Sequence, residues 1–347
     1  MLLDTVKSLC ALFGPSGCED EVRDYIRREA EPYADEISED TAGNLLVFRR
    51  GRVQPRRTVM LAAHMDEVGV IVNHISDDGF LGFGFVGGVD RRVVIGKKVY
   101  LGDARIPGVI GMKPIHLTTK DERETVPKAD KLYIDIGTTD KAEAEKLVEL
   151  GTYGCFGGEC TELANGFVRM KAIDDRVGCA IMLEILKQEE LPIDTWFAFT
   201  VQEEVGCRGA FGAAFRIKPQ IALVVEGTTA ADSPQSEGAA RVCMPGQGPV
   251  IPFMDGGAIY DRQLFCMLRD LADENGIRWQ TKTRIAGGTD AQAIQRTAGG
   301  CKVGAVSAAV RYIHSPSSVG NVEDFEAMKV LVNAFLKKME DSDEEFA

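Results

Sequence analysis

Four apolar runs constrain this 347-residue chain more than any other feature: TVMLAA at 58–63, TWFAFT at 195–200, IALVVE at 221–226 and CKVGAVSAAV at 301–310. Each is too continuously apolar for a strand with one wet face. Helix-patterned stretches surround them, at 2–13, 19–31, 175–188, 257–275 and 322–340, with a further Gly/Ala-rich helical stretch after residue 204. Buried strands separated by helices pair in a mostly parallel sheet covered on both faces. The expected fold class is therefore α/β, with a mostly parallel mixed sheet flanked by helices.

The middle of the chain breaks this rhythm. Residues 70–160 hold short β-like, glycine-punctuated segments (VIVNHI, FLGFGFVGG, VVIGKKVYL, IPGVIG, LYIDIG) and one helical patch at 138–150. That pattern reads as a small all-β domain inserted into an α/β domain formed by 1–69 and 161–347. The acidic end DSDEEFA (341–347) is expected to fray.

Charge and cysteine usage exclude several function classes. Asp plus Glu number 53 against 40 Lys plus Arg, a net charge of -13 that repels phosphate backbones, so no nucleic-acid partner is expected. No run approaches the ~20 apolar residues of a membrane-spanning helix. The first residues, MLLDTVKSLCALFG, lack a basic export signal and read as an amphipathic helix ended at Gly14-Pro15. Nine scattered cysteines without a C-x-x-C pair read as reduced thiols of a cytoplasmic protein.

In open α/β sheets, ligands bind beyond the C-terminal ends of the strands. Here those ends carry metal-capable side chains. The first apolar run meets His64-Met65-Asp66-Glu67, the second Glu203-Glu204, the third Glu226, and the fourth runs on to His314. Asp174-Asp175 stands at the mouth of a helix. The chain has four histidines, and His64 and His314 are the two that follow apolar strands; His74 and His116 fall in the insert. Two imidazoles with several carboxylates suit zinc first, with cobalt or manganese as alternatives. Ligands from five segments exceed one tetrahedral site, and a carboxylate bridging two ions resolves that count. One glutamate of the 203–204 pair is then free to move protons. Asp66 is placed to orient the His64 ring. The Gly-containing segment Gly288, Thr289 and Asp290 is expected to wall a substrate pocket, with Asp290 near a substrate amine.

At these residues the sequence resembles the glutamyl and deblocking aminopeptidases, the tetrahedral aminopeptidases of metallopeptidase family forty-two, some of which carry a cellulase or endoglucanase label. The matching segments are AAHMDEVGV, GVIGMKPIHL, VPKADKLYIDIG, KAIDDRVGC, VQEEVGCRGA, GGTDAQAIQ and RYIHSPSSV, in order along nearly the whole chain. The resemblance implies a di-zinc exopeptidase fold with an inserted β-barrel-like dimerisation domain. It implies two divalent ions per subunit, His64, Asp174 and Glu226 on one, Asp174, Glu204 and His314 on the other, and Glu203 as general base. It also implies a cis peptide after Asp174. The expected activity is removal of N-terminal residues from short peptides by a metal-bridged hydroxide. The expected assembly is a homo-oligomer of dimers built into a tetrahedral dodecamer. The family usually has Asp where this chain has Glu226, and Asp232 is the other candidate there. A related di-metal amidase or deacylase acting on blocked substrates is the alternative. A glycosidase does not fit, because its two acids flank a sugar rather than cluster with histidines.

Overall fold

The computed structural model describes residues 1–341, so all but the first residue of the acidic end lies outside the description. The chain opens with helices α1 (Leu2–Ala11) and α2 (Asp20–Ala30), then strands β1 (Glu36–Glu39), β2 (Leu45–Arg49) and β3 (Val59–His64). Six strands of a second unit follow: β4 (Gly69–Ile75), β5 (Leu81–Val86), β6 (Lys98–Leu101), β7 (Ile106–Met112), β8 (Leu132–Asp135) and β9 (Tyr153–Phe156). The chain then returns through α3 (Ile173–Leu186), β10 (Thr195–Thr200), α4 (Arg208–Ile217), β11 (Ile221–Thr229), α5 (Arg262–Glu274), β12 (Lys302–Val310) and α6 (Val322–Asp341).

The main sheet has the order β1-β2-β10-β3-β11-β12. Its four apolar strands are mutually parallel, and β1 and β2 add an antiparallel edge. Alternation along β3 explains the two-sided packing. Val59, Leu61 and Ala63 join one buried cluster with α1, α3 and α6 residues, whereas Met60 and Ala62 join another with Ala210, Ala213 and Ala214 of α4. Parallel pairing also aligns the strand ends. His64 lies opposite Thr200, and it is two residues beyond Ala62, whose partner Val224 is two residues before Glu226. His64, Glu226 and the segment after Thr200 therefore emerge together.

Strands β4–β9 close into a barrel of order β9-β4-β5-β8-β7-β6, with every pairing antiparallel. Val70, Val72, Leu81, Phe83, Val99, Leu101, Ile110 and Ile134 fill it. Closure leaves no free sheet edge.

The structure corrects the helix expected over 257–275, which begins only at Arg262. Asp255 accepts from the Gly257 and Ala258 N–H groups in a turn, and Asp261 caps the helix through Gln263 and Leu264 N–H. The helical patch at 138–150 reduces to Lys141–Ala144 and turns. Within α3, Asp174 and Asp175 have non-helical angles and the peptide between them is cis. No described helix is long and apolar enough to cross a membrane.

Helix α3 packs on β11 with no room to spare at Gly178. A Cβ there would stand 2.2 Å from the Val225 carbonyl oxygen and 2.5 Å from the Asp175 carboxylate. Gly178→Ala should therefore cost about 1–3 kcal/mol and lower the melting temperature by several degrees in a thermal scan. An unchanged midpoint would contradict this packing.

Candidate metal centre

The strand ends, the start of α3 and the loop after β12 bring five predicted residues into one cluster. His64 Nε2 lies 3.3 Å from Asp174 Oδ1 and 3.3 Å from Glu226 Oε1. His314 Nε2 lies 3.1 Å from Glu204 Oε2 and 3.5 Å from Asp174 Oδ2. The two oxygens of Asp174 thus face two different imidazoles.

The opposite ring nitrogens define the tautomers. His64 Nδ1 is 3.1 Å from the Asp66 carbonyl oxygen, and His314 Nδ1 is 3.0 Å from the Gly88 carbonyl oxygen. A carbonyl only accepts, so each Nδ1 carries a proton and each Nε2 presents a lone pair in the neutral ring. Lone pairs from two rings and three carboxylates then converge with no donor among them. Two of those oxygens, Asp174 Oδ1 and Glu226 Oε2, are buried without a hydrogen-bond partner. This donor set fits divalent cations with mixed nitrogen and oxygen ligands. Candidate ion-holding groups include His64, Asp174 and Glu204, and His64, Asp175 and Glu226.

The electrostatics agree. Burial disfavours ionisation of Glu204, Glu226 and Asp175, and their carboxyls are raised well above the usual range. Burial opposes a charged His64, yet Glu226, Asp174 and Asp66 override it and raise it well above normal. Burial likewise opposes a charged His314, but Asp174 and Glu204 lift it to about 9. The carboxylates jointly demand positive charge, which bound protons or a bound cation supplies.

Asp66 ties the site together from beneath. Fully buried, it accepts from Ser16 Oγ at 2.5 Å and from the Glu203 and Glu204 N–H groups at 2.9 and 3.1 Å. Its Oδ1 is also 3.4 Å from His64 Nδ1. It therefore holds both the first strand end and the 203–204 loop. Asp175 performs a parallel task, accepting from the His64 N–H at 3.2 Å and the Gly178 N–H at 3.0 Å.

A cavity of about 260 Å³ opens onto the cluster and is lined by His64, Asp174, Glu203, Glu204, Glu226 and His314, among others. Gly288 and Thr289 line it too. Asp290 does not. It is fully buried behind that wall, where Thr200 Oγ donates to its Oδ2. Asp232 stands apart and pairs with Arg311 at 2.5 and 2.7 Å. His74 and His116 are exposed and do not line the cavity.

Three contributors escaped sequence reasoning. Gly88 follows β5 of the barrel and reaches the site through its backbone carbonyl. Its neighbour Gly87 has φ +83, and a Cβ there would stand 2.8 Å from Val68, so the glycine pair was a legible sign of close approach. Cys207 lines the cavity with its Sγ 3.2 Å from Glu203 Oε1. Lys282 is the only lysine or arginine on the described cavity wall.

A family model described as M42 glutamyl aminopeptidase matches residues 43–331. A protein of Acetivibrio thermocellus is 40% identical over 335 residues, covering 96% of this chain and 98% of its own. The lysyl aminopeptidase of Pyrococcus furiosus is 31% identical, covering 98% of both chains. The solved structure of the Pyrococcus horikoshii TET1 peptidase, which can assemble into a tetrahedron or a large octahedral shell, superposes with a TM-score of 0.85 at 34% identity, covering 97% of this chain and 99% of that one.

A converging set of lone pairs, two of them on unpartnered buried oxygens, should gain stability from a cation. Zinc at a hundredfold excess over its dissociation constant should stabilise the protein by about 2.7 kcal/mol, read as a higher melting temperature that a chelator reverses. Asp174→Ala should remove most of that rise. A zinc-independent melting temperature would exclude the centre.

Proposed function

The chain belongs to the M42 glutamyl aminopeptidase family, a family of peptidases, and from that premise we propose that it removes N-terminal residues from short peptides using two divalent ions. His64, Asp174 and Glu226 would hold one ion, and Asp174, Glu204 and His314 the other, with zinc the first choice and cobalt or manganese as alternatives. The observation that carries this reading is the split carboxylate of Asp174, whose two oxygens face His64 and His314 separately. Glu226 is a methylene longer than the Asp usual in the family, and its orphaned Oε2 leaves an oxygen free for an ion.

Bound there, a pair of ions would supply Lewis-acid polarisation of the scissile carbonyl and acidify the attacking water. The chain's own residues do the rest. Glu203 lines the cavity next to Glu204, and burial, with Asp290 and Asp174 nearby, pushes its carboxyl up to about 7 against the opposing pull of His64. A carboxylate in that range accepts a proton from the attacking water and returns it to the leaving amine near neutral pH. Asp66 positions it through the Glu203 N–H. We extend the reading to assembly: residues 70–160 would form a pairing unit, and copies would build a closed shell like that of the TET1 peptidase.

Lys282 gives the pocket a preference. It is buried, and its ammonium makes a single hydrogen bond among the described residues, 3.3 Å to the Ala286 carbonyl. Two of its three donors remain for a ligand, which favours an acidic N-terminal side chain.

Aminoacyl-anilides with free amines test both points. Glu203→Gln should lower kcat by about 10²–10⁴-fold while two ions per chain remain bound. Unchanged turnover would reject Glu203 as base, and cleavage of N-acylated substrates alone would favour the amidase. Glutamyl-anilide should exceed glutaminyl-anilide in kcat/KM by roughly tenfold or more, the worth of a charged hydrogen bond. Lys282→Met should bring that ratio close to one.

A further inference from the structure

Beside the centre, but outside the ligand set proposed for it, stands a second group with the makings of a cation site. One ligand atom each from Glu203, Cys207 and Asp290 lies within 4.8 Å of the other two. Cys207 Sγ is 3.2 Å from Glu203 Oε1. Ligands of a tetrahedral zinc ion, with bonds of about 2.0–2.3 Å, stand roughly 3.3–3.7 Å apart, so small side-chain rotations close the group around an ion.

Hydrogen bonding does not account for the whole arrangement. Cys207 Sγ lies 3.4 Å from the Thr289 carbonyl oxygen and receives the Gln292 Nε2 donor at 3.1 Å. Asp290 uses Oδ2 to accept from Thr200, but its Oδ1 is buried with no hydrogen-bond partner, in a residue with no solvent exposure. A buried, unpartnered carboxylate oxygen beside a thiol and a second carboxylate asks for a cation. The carboxyl groups of Asp66, Asp174, Asp175, Glu226 and Asp290 are all buried together at the C-terminal ends of the parallel strands, so the group lies in surroundings rich in oxygen ligands. Glu203, Cys207, Thr289 and Gln292 line the cavity, so an ion can enter by the route a substrate takes.

We propose that Glu203, Cys207 and Asp290 form a third, inhibitory cation site selective for thiophilic divalent ions such as zinc or cadmium. Binding breaks the Cys207 S–H bond, forms a metal–sulfur bond and releases the proton to solvent. Thiolate ligation selects zinc and cadmium over magnesium or calcium. The inhibitory half rests on Glu203 being the general base: an oxygen whose lone pairs hold a cation no longer accepts a proton from water. Excess zinc would then silence the enzyme through the residues that run it.

The test uses the full chain with its first two sites loaded with cobalt. Added cadmium should bind as a third ion per chain by equilibrium dialysis, with a thiolate-to-cadmium absorption band in the ultraviolet. Cys207→Ser should remove that band, which separates this thiol from exposed ones such as Cys160, and Asp290→Asn should weaken the third ion at least tenfold. In wild-type protein, turnover should fall as the band grows. The absence of a band in wild-type protein, a measurement that needs no variant, overturns the site. A third ion bound equally well in both variants also overturns it. A Cys207-dependent third ion that leaves turnover untouched overturns the inhibitory half, and with it the role of Glu203 as base, while a protein that cleaves no anilide still reports on the site through the band.

Discussion

The repulsion among carboxylates gathered at the C-terminal ends of the parallel strands is the constraint around which this structure is organised. Removing each charge from water costs several kcal/mol after relaxation, and Asp66, Asp174, Asp175, Glu226 and Asp290 are all buried. Such a cluster persists only where hydrogen bonds, imidazoles or cations compensate it. The chain divides these duties. Asp66 and Asp175 spend their oxygens on backbone N–H groups and serve as struts. Asp174 and Glu226 keep an oxygen bare. The same residue type is thus structural or ligand-capable according to the donors that surround it.

The barrel reaches the α/β part at these strand ends. The α/β part supplies the imidazoles and carboxylates, while the turn after β5 supplies the Gly88 carbonyl that fixes the His314 tautomer. The barrel thereby takes part in the chemistry of a site whose side chains it does not contribute. The position of the 86–90 turn decides whether the His314 Nε2 lone pair points at Asp174 and Glu204 or elsewhere.

Much of this was legible beforehand, for definite reasons. Continuous apolar strands have few ways to be buried, so TWFAFT and IALVVE declared a parallel sheet. With only four histidines in the chain, two of them after such strands, the two imidazoles of the candidate site were nearly named by position. The sheet was expected to be mixed, but its antiparallel strands β1 and β2 were not assigned: EISE is charged and partly exposed, and LLVFR, though buried, is a short run without flanking helical pattern to mark it. The helix at 257–275 was drawn too long, because the Asp255 and Asp261 turns that delay it depend on backbone geometry rather than on apolar spacing. Asp290 was expected beside a substrate amine because it shares one Gly-containing loop with Gly288 and Thr289. Chain proximity could not reveal that its side chain turns inward to Thr200.

The sequence by itself determined the inventory: which strands are buried, which residue types stand at their ends and which family they resemble. These are local properties, set by hydrophobic periodicity and by the chemistry each side chain carries. The tertiary structure alone decided the pairings: that Asp174 divides its oxygens between two rings, that a glycine carbonyl some 226 residues away orients His314, and that Cys207 rests against Glu203. Those depend on strand register and on the approach of segments distant along the chain, where shifts of an ångström decide which atoms meet, and no local pattern encodes such distances.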